Sequence, residues 1–141
     1  VDSGSLDLPH PEDSHRQPPG GTETVLIVDD ESSILKIAQR MLGALGYTVL
    51  SAAGPSEALE VAGSHNGPIH LLLTDVVMPE MSGRDLVPRI QAMQPGIRVL
   101  YMSGYSLHII SNLVVLESGL PLISKPFSLL DLAEKIREVL A

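Results

Sequence analysis

From Thr24 onward, short apolar runs rich in β-branched residues alternate with longer segments of helical period, and the alternation repeats five times. The short runs are Thr24–Val28, Tyr47–Ala52, Ile69–Thr74, Arg98–Met102 and Leu120–Ser124. Between and after them, the spacing predicts helices over Ser32–Leu45, Pro55–Ser64, Ser82–Met93, Ser106–Glu117 and Ser128–Leu140. In the first helix Ile34, Leu35, Ile37, Ala38, Met41, Leu42 and Leu45 fall on the three-and-four spacing of one face. Gly46 stops it. Pro55 suits the first turn of the second helix. Ser82 with Asp85, and Ser128 with Asp131, stand at capping-box spacing. Pro88 lies inside the third helix and is expected to kink it. Strands alternating with helices imply a parallel sheet covered by helices on both faces, with right-handed crossovers.

The 141 residues suit one domain. Hydrophobic residues make up 44% and aromatics only 3%, so the core must be built from Leu, Val, Ile, Ala and Met. Residues 1–22 differ from the rest. Pro9, Pro11, Pro18, Pro19, Gly20 and Gly21 crowd a stretch with almost nothing apolar to bury, which reads as a flexible linker or tail before a domain at 23–141. The net charge of −8 argues against nucleic acid and against an anionic membrane surface, both of which need clustered Lys and Arg. With no cysteine, disulfides and thiolate metal sites are excluded. No apolar run reaches the length of a membrane span, and no basic-then-apolar leader opens the sequence, so a cytoplasmic location is expected.

The polar residues at the strand ends carry the chemistry. Asp29 and Asp30 close the first strand, Asp75 the third, Ser103 the fourth and Lys125 the fifth. In open α/β sheets, ligands bind outside the carboxyl ends of the strands. Three carboxylates gathered there repel one another unless a cation or protons intervene. Hard oxygen ligands point to Mg²⁺. An Asp can attack phosphorus and form an aspartyl phosphate. A Lys ammonium would neutralise the transferring group, and the Ser103 hydroxyl could donate to a phosphate oxygen. His10, His15, His65, His70 and His108 are scattered and predict no metal site.

At these residues the sequence resembles a family. Val25-Leu26-Ile27-Val28-Asp29-Asp30-Glu31, Leu72-Leu73-Thr74-Asp75-Val76-Val77-Met78-Pro79 and Lys125-Pro126-Phe127 are similar to the motifs of response-regulator receiver domains in two-component signalling. The resemblance covers about residues 24–141. It implies a flavodoxin-like (βα)₅ fold with strand order 2-1-3-4-5. It implies Asp75 as phosphoacceptor, with Asp29, Asp30, Asp75 and the Val77 backbone carbonyl around Mg²⁺. It implies Ser103 as switch hydroxyl, Lys125 as the phosphate-binding lysine and a cis bond before Pro126. The donor would be a histidine kinase or a histidine phosphotransfer domain. Met78-Pro79-Glu80-Met81-Ser82-Gly83 and Val99-Leu100-Tyr101-Met102-Ser103-Gly104-Tyr105 look like receivers fused to the C-terminus of hybrid sensor histidine kinases.

Two positions depart from the family. Leu122, three residues before Lys125, stands where the family usually has the Tyr or Phe of its switch. Val77, two residues past Asp75, is apolar and cannot orient an attacking water, which points to slow loss of phosphate. The segment 106–117 carries Leu107, Ile109, Ile110, Leu113, Val114, Val115 and Leu116 and lacks the polar face of a surface helix, so it is expected to contact a partner domain or a second copy. Two other functions compete: a phosphatase or hydrolase with an Asp nucleophile, and a degenerate receiver that only binds. The first usually wants an Asp where Val77 stands and a cap insertion for which the chain has no room; the intact Asp29, Asp30, Asp75, Ser103 and Lys125 argue against the second.

Overall fold

A computed structural model describes residues 18–103 and 121–141. Along the chain these form β1 (Thr24–Val28), α1 (Ser32–Ala44), β2 (Thr48–Ala52), α2 (Pro55–Ser64), β3 (Leu71–Asp75), α3 (Gly83–Met93), β4 (Arg98–Ser103), β5 (Leu122–Ser124) and α4 (Leu129–Leu140). The strands make one sheet in the order β2-β1-β3-β4-β5, all neighbours parallel. The expected flavodoxin-like order is therefore observed. The expectations for residues 106–117 lie outside the described residues.

Alternation along each strand feeds two cores. Leu26, Val28, Leu72 and Tyr101 face Ala58 and Ala62 of α2 and Leu86 and Ile90 of α3. Val25, Ile27, Leu71, Leu73, Leu100 and Met102 face Ala38 and Leu42 of α1 and Leu132, Ala133 and Ile136 of α4. β1 and β3 are apolar on both faces because helices cover both faces. Each fully buried Leu or Ile contributes on the order of 1.5–3 kcal/mol, so the two layers, rather than any polar contact, hold the sheet flat against its helices.

Local chemistry sets the boundaries. Gly46, with φ of 97°, turns the chain after α1 and donates its N–H to the Gly43 carbonyl (3.1 Å), a left-handed stop that only glycine makes without strain. Ser128 Oγ accepts from Asp131 N–H (3.0 Å) while the Asp131 carboxylate accepts from Ser128 N–H (3.3 Å), a complete capping box. Ser82 accepts from Asp85 N–H (3.2 Å), which is half of the same arrangement. The third helix runs on through Pro88 to Met93. The third strand starts at Leu71 rather than Ile69, because Gln94 Oε1 rather than a neighbouring strand takes the Ile69 N–H (3.1 Å). The bond between Lys125 and Pro126 is cis.

Candidate functional site

The chain reverses direction across the sheet between β1 and β3, and the crevice outside their carboxyl ends is where such folds bind ligands. One backbone hydrogen bond beyond each strand end fixes the residues there. Asp29 N–H donates to the Ala52 carbonyl (3.3 Å), Val76 N–H to the Met102 carbonyl (3.1 Å) and Lys125 N–H to the Ser103 carbonyl (2.8 Å). These bonds tie the end of β1 to β2 and the ends of β3 and β5 to β4, and the pairing of β1 with β3 joins the two groups.

Asp29, Asp75, Ser103 and Lys125 are all buried, and Asp30 is exposed. One carboxylate oxygen from each of Asp29, Asp30 and Asp75 lies within 4.8 Å of the other two. Lys125 Nζ reaches Asp29 Oδ2 at 3.0 Å and Asp75 Oδ2 at 3.4 Å. Asp29 Oδ1 accepts from Glu31 N–H (2.8 Å), so both its oxygens are engaged. Burial pushes the Asp75 carboxyl up from 3.8 to about 6, and the charges of Asp29 and Asp30 add to the rise while Lys125 opposes it. Burial raises Asp29 as well. Burial works against the Lys125 ammonium, but Asp75 and Asp29 outweigh it and keep Lys125 protonated. The result is a buried carboxylate beside a fixed cation, in a crowd of negative charge that a divalent cation would relieve. A set made only of carboxylate oxygens, two of the three residues buried, fits a hard cation.

The residues Asp29, Asp30, Asp75 and Lys125 come together as the strand ends suggested, and Ser103 lies buried at the neighbouring end of β4. Asp30 does not cap α1: the capping position is Glu31, and no side chain accepts a bond there. Val77 is half-buried. Leu122, also half-buried, pairs in register with Tyr101. Two features were not drawn from the sequence. Glu31 Oε1 lies 3.3 Å from Lys125 Nζ, although 94 residues separate them. Gly83 is buried at the start of α3, where a Cβ would overlap the Asp75 carbonyl oxygen, and its N–H donates to the Val76 carbonyl (2.7 Å). The acidic residue after the Asp pair and the glycine after Ser82 were visible as letters, but only the folded loops show what they touch.

The response regulator receiver domain family matches residues 25–137. This chain belongs to that family. The sensor kinase CckA of Brucella abortus (strain 2308) is 36% identical over 120 residues, which are 85% of this chain and 13% of that protein. The DNA-binding transcriptional regulator NtrC of Azospirillum brasilense is 30% identical over 117 residues, 83% of this chain and 24% of that protein. The chain thus spans a quarter or less of the length of these two relatives. The crystal structure of the receiver domain from the hybrid histidine kinase CckA superposes with a TM-score of 0.69 at 31% identity, covering 84% of this chain and 99% of that one. The chain is a receiver domain of the two-component type, a phosphoacceptor module. Among the described residues, no helix is long and apolar enough to cross a membrane.

Proposed function

We propose that this receiver takes a phosphoryl group from a phosphohistidine onto Asp75. The observation that carries the assignment is the single ammonium of Lys125 set between Asp29 Oδ2 (3.0 Å) and Asp75 Oδ2 (3.4 Å) in a buried corner. An Asp75 oxygen forms the new bond to phosphorus as the phosphorus–nitrogen bond of the donor breaks, and the imidazole nitrogen keeps that electron pair. Lys125 stabilises charge on the transferring oxygens. Ser103, buried at the end of β4, donates its hydroxyl to one phosphoryl oxygen. Asp29, Asp30 and Asp75, with the Val77 carbonyl, would hold Mg²⁺, which when bound offsets the negative charge of carboxylates and phosphoryl group together.

The donor is a histidine kinase or a histidine phosphotransfer domain in the cytoplasm. The resemblance to the receiver of a hybrid kinase supports a place for this module, at residues 23–141, behind residues 1–22 as the connection to a kinase. The hydrolase reading finds no support, since the position two past Asp75 holds the apolar, half-buried Val77. Incubation with acetyl phosphate and Mg²⁺, followed by intact mass, is expected to add one phosphoryl group. No gain from acetyl phosphate or from phosphohistidine donors, with no beryllofluoride bound either, would leave a binding module in its place.

A further inference from the structure

Three carboxylates share the Lys125 ammonium, and one of them stands apart from the group that converges for a cation. Glu31 occupies the capping position of α1. A side chain there commonly turns back to accept a bond from the first turn of its own helix. Glu31 does not: no side chain caps α1, and the Glu31 carboxylate reaches across to Lys125 Nζ at 3.3 Å. Meanwhile its own N–H is fixed by Asp29 Oδ1 (2.8 Å), which anchors the backbone from which it reaches.

An ammonium has three N–H donors. Asp29, Asp75 and Glu31 offer one acceptor oxygen to each. A phosphoryl oxygen arriving beside Asp75 must therefore take a donor already in use. The Asp29 side chain is fully buried with both oxygens engaged, whereas the Glu31 side chain is 60% exposed, so water solvates it as soon as it lets go. We propose that Glu31 is a positioning residue: it holds one donor of Lys125 in the resting site and is the partner that yields when the phosphoryl group arrives. This rests on the phosphoacceptor reading above.

Two variants separate the possible roles. Glu31→Gln keeps the size but removes the charge. Glu31→Asp keeps the charge but is one methylene too short to reach Lys125. Affinity for beryllofluoride, which imitates a phosphoryl group on a carboxylate, is measured at saturating Mg²⁺. Both variants are expected to bind about two- to fivefold tighter than wild type, the scale of an ion pair with one exposed partner. The melting temperature of Glu31→Gln is expected to stay near that of wild type, because the Glu31 side chain caps nothing, whereas Glu31→Asp puts a favoured capping residue at the start of α1 and is expected to melt higher. Unchanged or weaker binding by Glu31→Gln would overturn the proposal. So would tighter binding by Glu31→Gln with wild-type binding by Glu31→Asp, since negative charge near the site, not the reach to Lys125, would then be the cause. A wild type that binds no beryllofluoride would instead remove the phosphoacceptor reading, and the restraint with it.

Discussion

Asp75 is held in a state that only a cation or a proton relieves. Its carboxyl titrates near 6 in the fold against 3.8 outside it, so the folded chain binds the proton more tightly than the unfolded chain. The sign follows: the metal-free protein is least penalised below pH 4 and loses stability as pH rises through about 6. The full penalty is on the order of 2–3 kcal/mol. Asp75→Asn, which removes that charge, is therefore expected to unfold at higher urea than wild type at pH 7.5 in EDTA, and at nearly the same urea at pH 4. Equal stability at both values would mean that Asp75 is not strained by its neighbours. The polar identities at this scale were legible in the sequence, because strand ends are easily located and those of β1, β3, β4 and β5 carry polar letters after apolar runs. The partners of each were not. Lys125 finds Glu31 only when β1 and β5 are folded onto the same edge.

At the scale of elements, two glycines that look alike in sequence behave oppositely. Gly43 lies in α1 with open space around its missing Cβ, and Gly83 starts α3 with the Asp75 carbonyl in the way. Gly43→Ala is expected to stabilise by about 0.5–1 kcal/mol by narrowing the unfolded ensemble and improving helix propensity. Gly83→Ala is expected to destabilise by about 1–3 kcal/mol and to slow phosphorylation, because α3 must back away from the strand that ends in Asp75, the proposed acceptor. Urea unfolding beside an acetyl phosphate time course checks both. Among the described residues, element type and order were readable from periodicity because each strand had an apolar run and each helix a stripe. Ser82 and Ser128 cap their helices as the capping-box spacing suggested, and a boundary moved where a side chain intervened: Gln94 diverts Ile69 from the sheet.

For the molecule as a whole, the last helix holds the segment just before β1. Arg137, in the last turn of α4, grips Glu23 with both Nη atoms at 2.9 Å, and its Nη1 also reaches Tyr47 Oη and the Gly20 carbonyl, each at 3.3 Å. Gly21 N–H adds a bond to the Leu45 carbonyl (3.1 Å). None of this was visible in the sequence, where Glu23 and Arg137 are two ordinary charges 114 residues apart. The Arg137 hydrogen bonds hold the Glu23 carboxyl down at about 2. Here the sign is opposite to that of Asp75: the stabilisation is present above pH 4.5 and is lost as pH falls towards 2. Glu23→Gln is expected to cost about 1 kcal/mol at pH 7 and nothing near pH 2, as measured by urea unfolding across that range. The anchor lies at the opposite edge of the sheet from Asp75, so this variant should accept phosphate at the wild-type rate.

The assignment of Asp75 as the acceptor is tested most directly by reducing the phosphorylated chain with borohydride, which converts an aspartyl phosphate to homoserine, and sequencing the peptides by mass spectrometry. Homoserine at position 75, absent when Mg²⁺ is withheld and absent in Asp75→Asn, is the expected result. Homoserine at Asp29 or Asp30, or phosphorylation that persists in Asp75→Asn at the wild-type rate, would contradict it.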